Sequence, residues 1–222
     1  MKKETKMKAI ILGGTGLVGS EVLKQLCDSN AFSKVVSLHR RKVDMIDEKL
    51  DQHVIDFEVP KTYSEYLEGN VLFSCLGTTI KTAGSQEQQY KVDVSYPLNI
   101  AKQSSTKGIK DYVLISSTGA NINSRLFYPR IKAELEEAVK ELDFERVIIF
   151  RPSVLAGNRQ EYRYGEKFAI GIMNALKWIP GIKRYRPIQA EILAKAMIKS
   201  LKVSPPGITI YELDEIFSLV YG

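Results

Sequence analysis

Short, nearly continuous apolar runs alternate along this chain with segments whose apolar residues recur every three to four positions. The first run covers residues 7–12. A glycine-rich stretch follows, then a segment with Val18, Val22 and Leu26 on one helical face. Further strand-like runs lie at residues 35–38, 54–57, 71–76, 112–115 and 147–150. Between them, residues 86–103 read as helix with a turn or kink near Pro97. Residues 129–142 read as an amphipathic helix with Ile131, Leu135, Ala138 and Leu142 on one face. Strands that are apolar at every position are covered on both sides, and strand–helix alternation produces a parallel sheet. The predicted fold class is α/β, a Rossmann-like doubly wound parallel sheet with a small C-terminal lobe. Beyond Arg151-Pro152 the pattern loosens. Helices are expected near residues 166–178 and 190–201, and a strand near 208–213. No repeat, low-complexity tract or linker divides the chain, so residues 1–222 are expected to form one domain, with 151–222 contributing most of the lobe.

The glycine-rich stretch is Gly13-Gly14-Thr15-Gly16-Leu17-Val18-Gly19. It fits G-x-G-x-x-G from Gly14 and G-x-x-G-x-x-G from Gly13. It also follows an apolar strand and opens an amphipathic helix. Glycines there permit a tight turn and let a pyrophosphate approach bare backbone N–H groups at a helix N-terminus. A dinucleotide is therefore expected, and the end of the second strand indicates which one. NAD sites place a carboxylate about 20 residues past the loop, on the ribose 2′-hydroxyl. In this chain that count reaches His39, followed by Arg40-Arg41-Lys42, with no carboxylate before Asp44. Arginines there suit a 2′-phosphate, so NADPH is the expected cofactor.

The fifth strand-like run ends in Ser116-Ser117, and Tyr128 and Lys132 follow at a four-residue spacing. That spacing is common by chance; its position after a strand's carboxyl end is what gives it weight, because open α/β sheets bind ligands there. A Tyr hydroxyl titrates near 10, and a neighbouring ammonium favours its phenolate. A Ser hydroxyl can donate to a carbonyl oxygen as charge develops on it. Pro129 makes Tyr128 the expected cap of its helix, with Lys132 in the next turn.

The remaining composition excludes more than it adds. Net charge is +6 with basic residues scattered, so nucleic acid is not an expected partner. Cys27 and Cys75 are far apart and read as buried small hydrophobes. With only His39 and His53 besides, no metal site is expected. No apolar run approaches the roughly 20 residues of a spanning helix, so no stable membrane association is expected. Lysines at 2, 3, 6 and 8 precede an apolar stretch, but glycines interrupt it and no cleavage site ends it. A cytoplasmic location is expected. An amphipathic segment at 168–186 reads as a lobe helix in preference to a membrane-surface element.

Taken together, these residues resemble the atypical short-chain dehydrogenases/reductases, and within them the Tat-interactive-protein oxidoreductases and their bacterial relatives. The carriers are the glycine loop, Phe32-Ser33-Lys34-Val35, Arg40-Arg41-Lys42, Asp56-Phe57 and Cys75-Leu76-Gly77-Thr78-Thr79. They continue through Ser116-Ser117, Gly119-Ala120, Tyr128 to Lys132, Phe150-Arg151-Pro152 and Arg159 to Glu166, fading after about Lys167. The resemblance implies an NADPH-binding fold. It implies that Gly13, Thr15, Gly16, Leu17, Val18 and Gly19 form the pyrophosphate loop, and that Arg40 and Arg41 hold the 2′-phosphate. Asp56 joins the cofactor set, Leu76 and Gly77 pass under the ribose, and Leu155 and Arg163 touch the nicotinamide half. Tyr128 is the implied proton donor with Lys132 beside it. Ser117 matches the family's serine position better, and Ser116 stays open. The chain departs from the pattern at Val18, where the Tat-interactive type has Thr, and at Pro129. The expected substrate is a small carbonyl or alcohol, with Tyr162, Tyr164, Phe168, Met173 and Trp178 as candidate pocket residues. A regulator that binds NADPH and a protein partner, or a homodimer, is also compatible with the family. A sugar-nucleotide epimerase ranks last, because few residues follow Pro152.

Overall fold

The computed structural model describes residues 6–42, 44–156 and 182–222. Its main sheet is built around β1 (Met7–Leu12), in which Ala9, Ile10, Ile11 and Leu12 are all fully buried. Alternate residues point to opposite faces of a strand. Ala9 and Ile11 accordingly pack with Val18, Val22 and Leu26 of α1 (Leu17–Asp28), while Ile10 and Leu12 pack in the opposite layer. This two-sided burial is why the run is apolar at every position.

The other strands are β2 (Phe32–His39), β3 (Leu50–Val54), β4 (Val71–Ser74), β5 (Asp111–Ile115) and β6 (Arg146–Arg151), followed by two short strands and β9 (Gly207–Glu212). The sheet order is β3-β2-β1-β4-β5-β6-β9, and every neighbouring pair is parallel. One layer holds α1 with α6 (Ala190–Val203) and α7 (Asp214–Tyr221); Leu193, Ala194, Met197 and Ile216 join α1 in its core. The other layer holds α4 (Tyr96–Thr106) and α5 (Phe127–Lys140), with Ile100, Ile131, Leu135 and Val139 in its core. Chain order reverses between β1 and β4. The carboxyl ends of all parallel strands lie at one edge, which places a ligand crevice at that reversal.

Several elements differ from the pattern-based expectation. The third strand is Leu50–Val54, not residues 54–57. Its Asp51 and His53 hide the strand signal because this is an edge strand. Asp51 pairs with Lys34 at 2.6 Å, and the His53 ring stacks on Tyr66. Ile55 and Phe57, which carried the expectation, are buried in the core just beyond it. The fourth strand stops at Ser74, two residues earlier than expected. The segment expected as one helix at 86–103 is α3 (Gln86–Tyr90), a π turn (Lys91–Ser95) and α4. Pro97 has no N–H for the carbonyl one turn back, and the π turn absorbs that loss. A short α2 (Ile80–Ala83) precedes α3, with Thr79 capping it through its side chain. The helix carrying Tyr128 begins at Phe127 with Leu126 as its cap, so Tyr128 is inside the helix. Pro129 is tolerated there because first-turn N–H groups lack intrahelical partners. The two-residue strands β7 (Leu155–Ala156) and β8 (Ile188–Gln189) are too short to show a periodicity, and α7, whose Ile216, Phe217, Leu219 and Val220 face the core, is an amphipathic helix absent from the expectation.

Candidate active site

The chain leaves β1 through Gly13, whose φ is +80°. A Cβ there would lie 2.6 Å from the carbonyl oxygen of Cys75, just past β4, and one on Gly19 would lie 2.0 Å from the carbonyl oxygen of Gly13. Both glycines are therefore required for the loop to sit between two strand ends with α1 against it. Gly16 donates its N–H to the Gly13 carbonyl at 2.9 Å and caps α1 with no side-chain bond. The first turn of α1 holds no acidic residue. Its N–H groups and the positive end of its dipole are thus suited to an anion. Thr15 is exposed and Leu17 half-buried on this loop, while the Val18 side chain is in the core, leaving its backbone for a ligand.

At the end of β2, His39 is buried with its Nδ1 3.2 Å from Ser37 Oγ. Burial, and secondarily His53, holds this imidazole below its ordinary pKa. Arg40, Arg41 and Lys42 follow it, all exposed. Asp56 is exposed beyond β3, and its Oδ1 accepts the Glu58 N–H at 2.9 Å. This set, an anion-ready helix start beside exposed arginines and no carboxylate on β2, could hold a pyridine dinucleotide.

The implied catalytic residues lie at the same edge. Ser117 follows β5 and is half-buried; its Oγ donates to the Thr118 carbonyl at 3.2 Å. Ser116 is buried, and its hydroxyl donates to Glu136 of α5. Of the two serines, Ser117 alone has a hydroxyl outside a buried polar network. Tyr128 is 38% exposed, and Lys132 Nζ lies 5.6 Å from the centre of its ring. The four-residue helical spacing brings them together despite Pro129.

Three charged residues essential to this geometry were not anticipated. Asp93, in the π turn, is fully buried; its Oδ1 lies 2.8 Å from Lys132 Nζ, and its Oδ2 accepts the Thr78 N–H at 2.9 Å. Gly77 lies beside this pair: a Cβ on it would be 3.6 Å from Asp93 Oδ1 and 3.7 Å from Lys132 Nζ. Leu76, just before it, is half-buried. Glu136, also fully buried, receives Arg151 through Nε at 3.1 and 3.2 Å and through Nη2 at 2.5 Å. The bond to Glu136 raises the guanidinium further above its usual range. Asp93 and Glu136 sit in polar stretches that read as solvated helix. The usable signal was the spacing Tyr128, Lys132, Glu136, which lines three polar groups along one helical face. Leu155 is half-buried in β7, paired with Ile188. Arg163 lies outside the described residues, as do the five candidate pocket residues and the helix expected at 166–178.

Comparison with known proteins identifies the family. Residues 9–185 match the family model described as NAD dependent epimerase/dehydratase family. The chain belongs to this family, and its class is that of NAD(P)-binding, short-chain dehydrogenase/reductase-like Rossmann proteins. Among relatives, it is 36% identical to Protein HTATIP2 of Rattus norvegicus, covering 92% of this chain and 86% of that protein. It is 32% identical to Protein FMP52, mitochondrial, of Eremothecium gossypii, covering 96% and 97%. The resemblance to the Tat-interactive type is thereby upheld. Among solved structures, UDP-glucose 4-epimerase from Thermotoga maritima with UDP-glucose superposes with a TM-score of 0.69 at 17% identity, covering 96% of this chain and 81% of that one. A short-chain dehydrogenase/reductase superfamily protein from Agrobacterium tumefaciens with bound NAD gives 0.70 at 14%, covering 93% and 77%. These two likenesses concern the fold. The expectation of a cytoplasmic protein is corrected: several relatives, from Candida glabrata, Eremothecium gossypii and two Aspergillus species, are named mitochondrial. Absent disulfide spacing and an unremarkable start do not separate those compartments. No helix among the described residues is long and apolar enough to cross a membrane.

Proposed function

We propose that this chain is an NADPH-dependent oxidoreductase that interconverts a small carbonyl compound and its alcohol. The observation that carries the reading is the position of one ammonium. Lys132 Nζ is held by buried Asp93, faces the Tyr128 ring, and adjoins Gly77, the residue expected under the cofactor ribose. Preference for the phosphorylated cofactor rests on Arg40 and Arg41, exposed where an NAD site carries a carboxylate.

The residues divide the work as follows. Gly13 to Gly19 and the start of α1 bind the pyrophosphate; Arg40 and Arg41 grip the 2′-phosphate; Asp56, Leu76 and Gly77 flank the adenosine and ribose. Leu155 and Arg163 complete the nicotinamide side. When bound, reduced nicotinamide supplies a hydride to the carbonyl carbon. Ser117 Oγ–H donates to the carbonyl oxygen and stabilises its growing charge. Tyr128 O–H gives its proton to that oxygen, and the Lys132 ammonium stabilises the phenolate left behind. In the reverse direction the same phenolate takes the alcohol proton.

The test is NADPH oxidation with a panel of aldehydes, ketones and quinones, on wild type and Tyr128→Phe. Turnover in wild type that is lost in Tyr128→Phe, with NADPH affinity unchanged, is expected. Equal turnover in both would remove Tyr128 from the mechanism. The epimerase chemistry that the family name also covers leaves the cofactor unchanged overall, so it is tested separately, by incubation with UDP-glucose and analysis of the sugar for its C4 epimer.

A further inference from the structure

Glu136 reaches two strands from the helix that carries Tyr128 and Lys132. Positions 128, 132 and 136 repeat at the four-residue helical interval, so Glu136 lies one turn below Lys132 on that face. Its carboxylate is fully buried. It accepts the Ser116 hydroxyl from the end of β5 and three N–H contacts from Arg151 at the end of β6. The loop after β5 is held at further points. The Ser116 N–H donates to the Phe150 carbonyl at 2.7 Å, and the Thr118 N–H to the Pro152 carbonyl at 3.0 Å. Thr118 Oγ1 donates to Glu212 Oε1 at 2.8 Å, and Glu212 stands opposite Arg151 in the β6–β9 register.

Ser117 thus lies between two residues whose side chains are both anchored. A buried carboxylate with an arginine partner is a costly choice for stability alone, since apolar residues of similar volume often serve as well. It does, however, fix geometry: a bidentate guanidinium–carboxylate pair sets both distance and orientation.

We propose that Glu136 and Arg151 are positioning residues that set the separation between Ser117 on the sheet edge and the Tyr128–Lys132 pair on α5. The inference rests on Ser117 acting as the carbonyl-directed hydroxyl. Glu136 touches no substrate; it acts through Ser116, whose hydroxyl it holds, and through the helix it belongs to.

The experiment is a double-mutant cycle read in kcat, in KM for the carbonyl compound and in NADPH affinity. It uses the best substrate from the carbonyl panel. Glu136→Gln and Ser116→Ala are each made in wild type and in Ser117→Ala. Ser116→Ala leaves the Glu136–Arg151 pair whole, so it reports even where Glu136→Gln folds poorly. Misplacing a reacting group by about 1 Å costs on the order of 100-fold. Glu136→Gln is expected to lower kcat by about 10- to 100-fold, and Ser116→Ala by less, with NADPH affinity unchanged. In Ser117→Ala neither is expected to lower kcat further. Undiminished kcat in folded Ser116→Ala and Glu136→Gln would overturn the proposal. So would losses that multiply fully with that of Ser117→Ala. If Ser117→Ala itself turns over like wild type, or wild type reduces no carbonyl, the underlying reading of Ser117 fails and the proposal falls with it.

Discussion

Replacing Asp93 by Leu would take from a buried ammonium its carboxylate partner. The Lys132 side chain is 5% exposed and that of Asp93 0%, so solvent screens their 2.8 Å contact little. Removing one partner of a buried pair costs about 3–5 kcal/mol, since the remaining charge keeps its desolvation penalty. For a domain of this size, 1 kcal/mol moves the melting temperature by about 2–4 °C, so Asp93→Leu should lower it by roughly 6–20 °C. Lys132→Met should cost a comparable amount by stranding the carboxylate, eased by the Thr78 N–H that still reaches Asp93 Oδ2. The double variant removes both charges of this pair together. It should melt well above the temperature that summing the two losses gives, and above Asp93→Leu alone. Thermal melts of the four proteins, checked by urea unfolding, measure this cycle. Single variants within about 2 °C of wild type, or strictly additive losses, would refute the claim that the pair is a coupled buried unit.

Other expectations follow from single groups. Gly19→Ala puts a methyl 2.0 Å from the Gly13 carbonyl, so calorimetric titration should find NADPH binding lost or severely weakened; wild-type affinity would show that the loop can yield. The pKa of His39 is lowered on folding, so the unfolded chain binds the extra proton first as pH falls. Stability should decline below the usual imidazole value of 6.5 toward the folded one, and be unaffected by this group above it. Urea unfolding at pH 7.5 and 5.5 should show a smaller acid loss for His39→Asn than for wild type; an identical loss would rule out this cause. Burial, then Asp47, pushes the Cys27 thiol up to about 11, and burial raises that of Cys75, whose residue is partly exposed although its thiol is desolvated. Both should react slowly with a disulfide reagent at pH 8 and quickly in urea, and fast reaction of the native protein would contradict their burial.

How much of this was legible in the sequence depended on what burial does to side-chain type. Strands β1, β2, β4, β5 and β6 show plainly, because sheet residues covered on both faces must be apolar. Edge strand β3 does not, since Asp51 and His53 find partners at its margin. The glycine loop is legible because two of its positions admit no Cβ. Tyr128 and Lys132 are recoverable from spacing and place in the chain. Asp93 is not, and Glu136 only through its four-residue spacing from Lys132, because a carboxylate buried against a cation has the same letter as one in solvent. Periodicity reads Gln86 to Ser95 as ordinary polar helix, although Asp93 is among its most buried members. The resemblance already ranks Ser117 over Ser116; the coordinates add the physical reason, that the Ser116 hydroxyl is committed to Glu136.

The central claim is that an NADPH site spans the glycine loop and the arginines after β2. Fluorescence titration with NADPH and NADH, on wild type and on Arg40→Ala/Arg41→Ala, tests it most directly. Hydrogen bonds between charged groups are worth about 1.5–3 kcal/mol, or roughly 10- to 100-fold in affinity. NADPH should bind wild type more tightly than NADH and lose at least about tenfold in the variant, while NADH binding stays the same. Equal affinity for both cofactors in wild type, or no binding of either, would contradict the account.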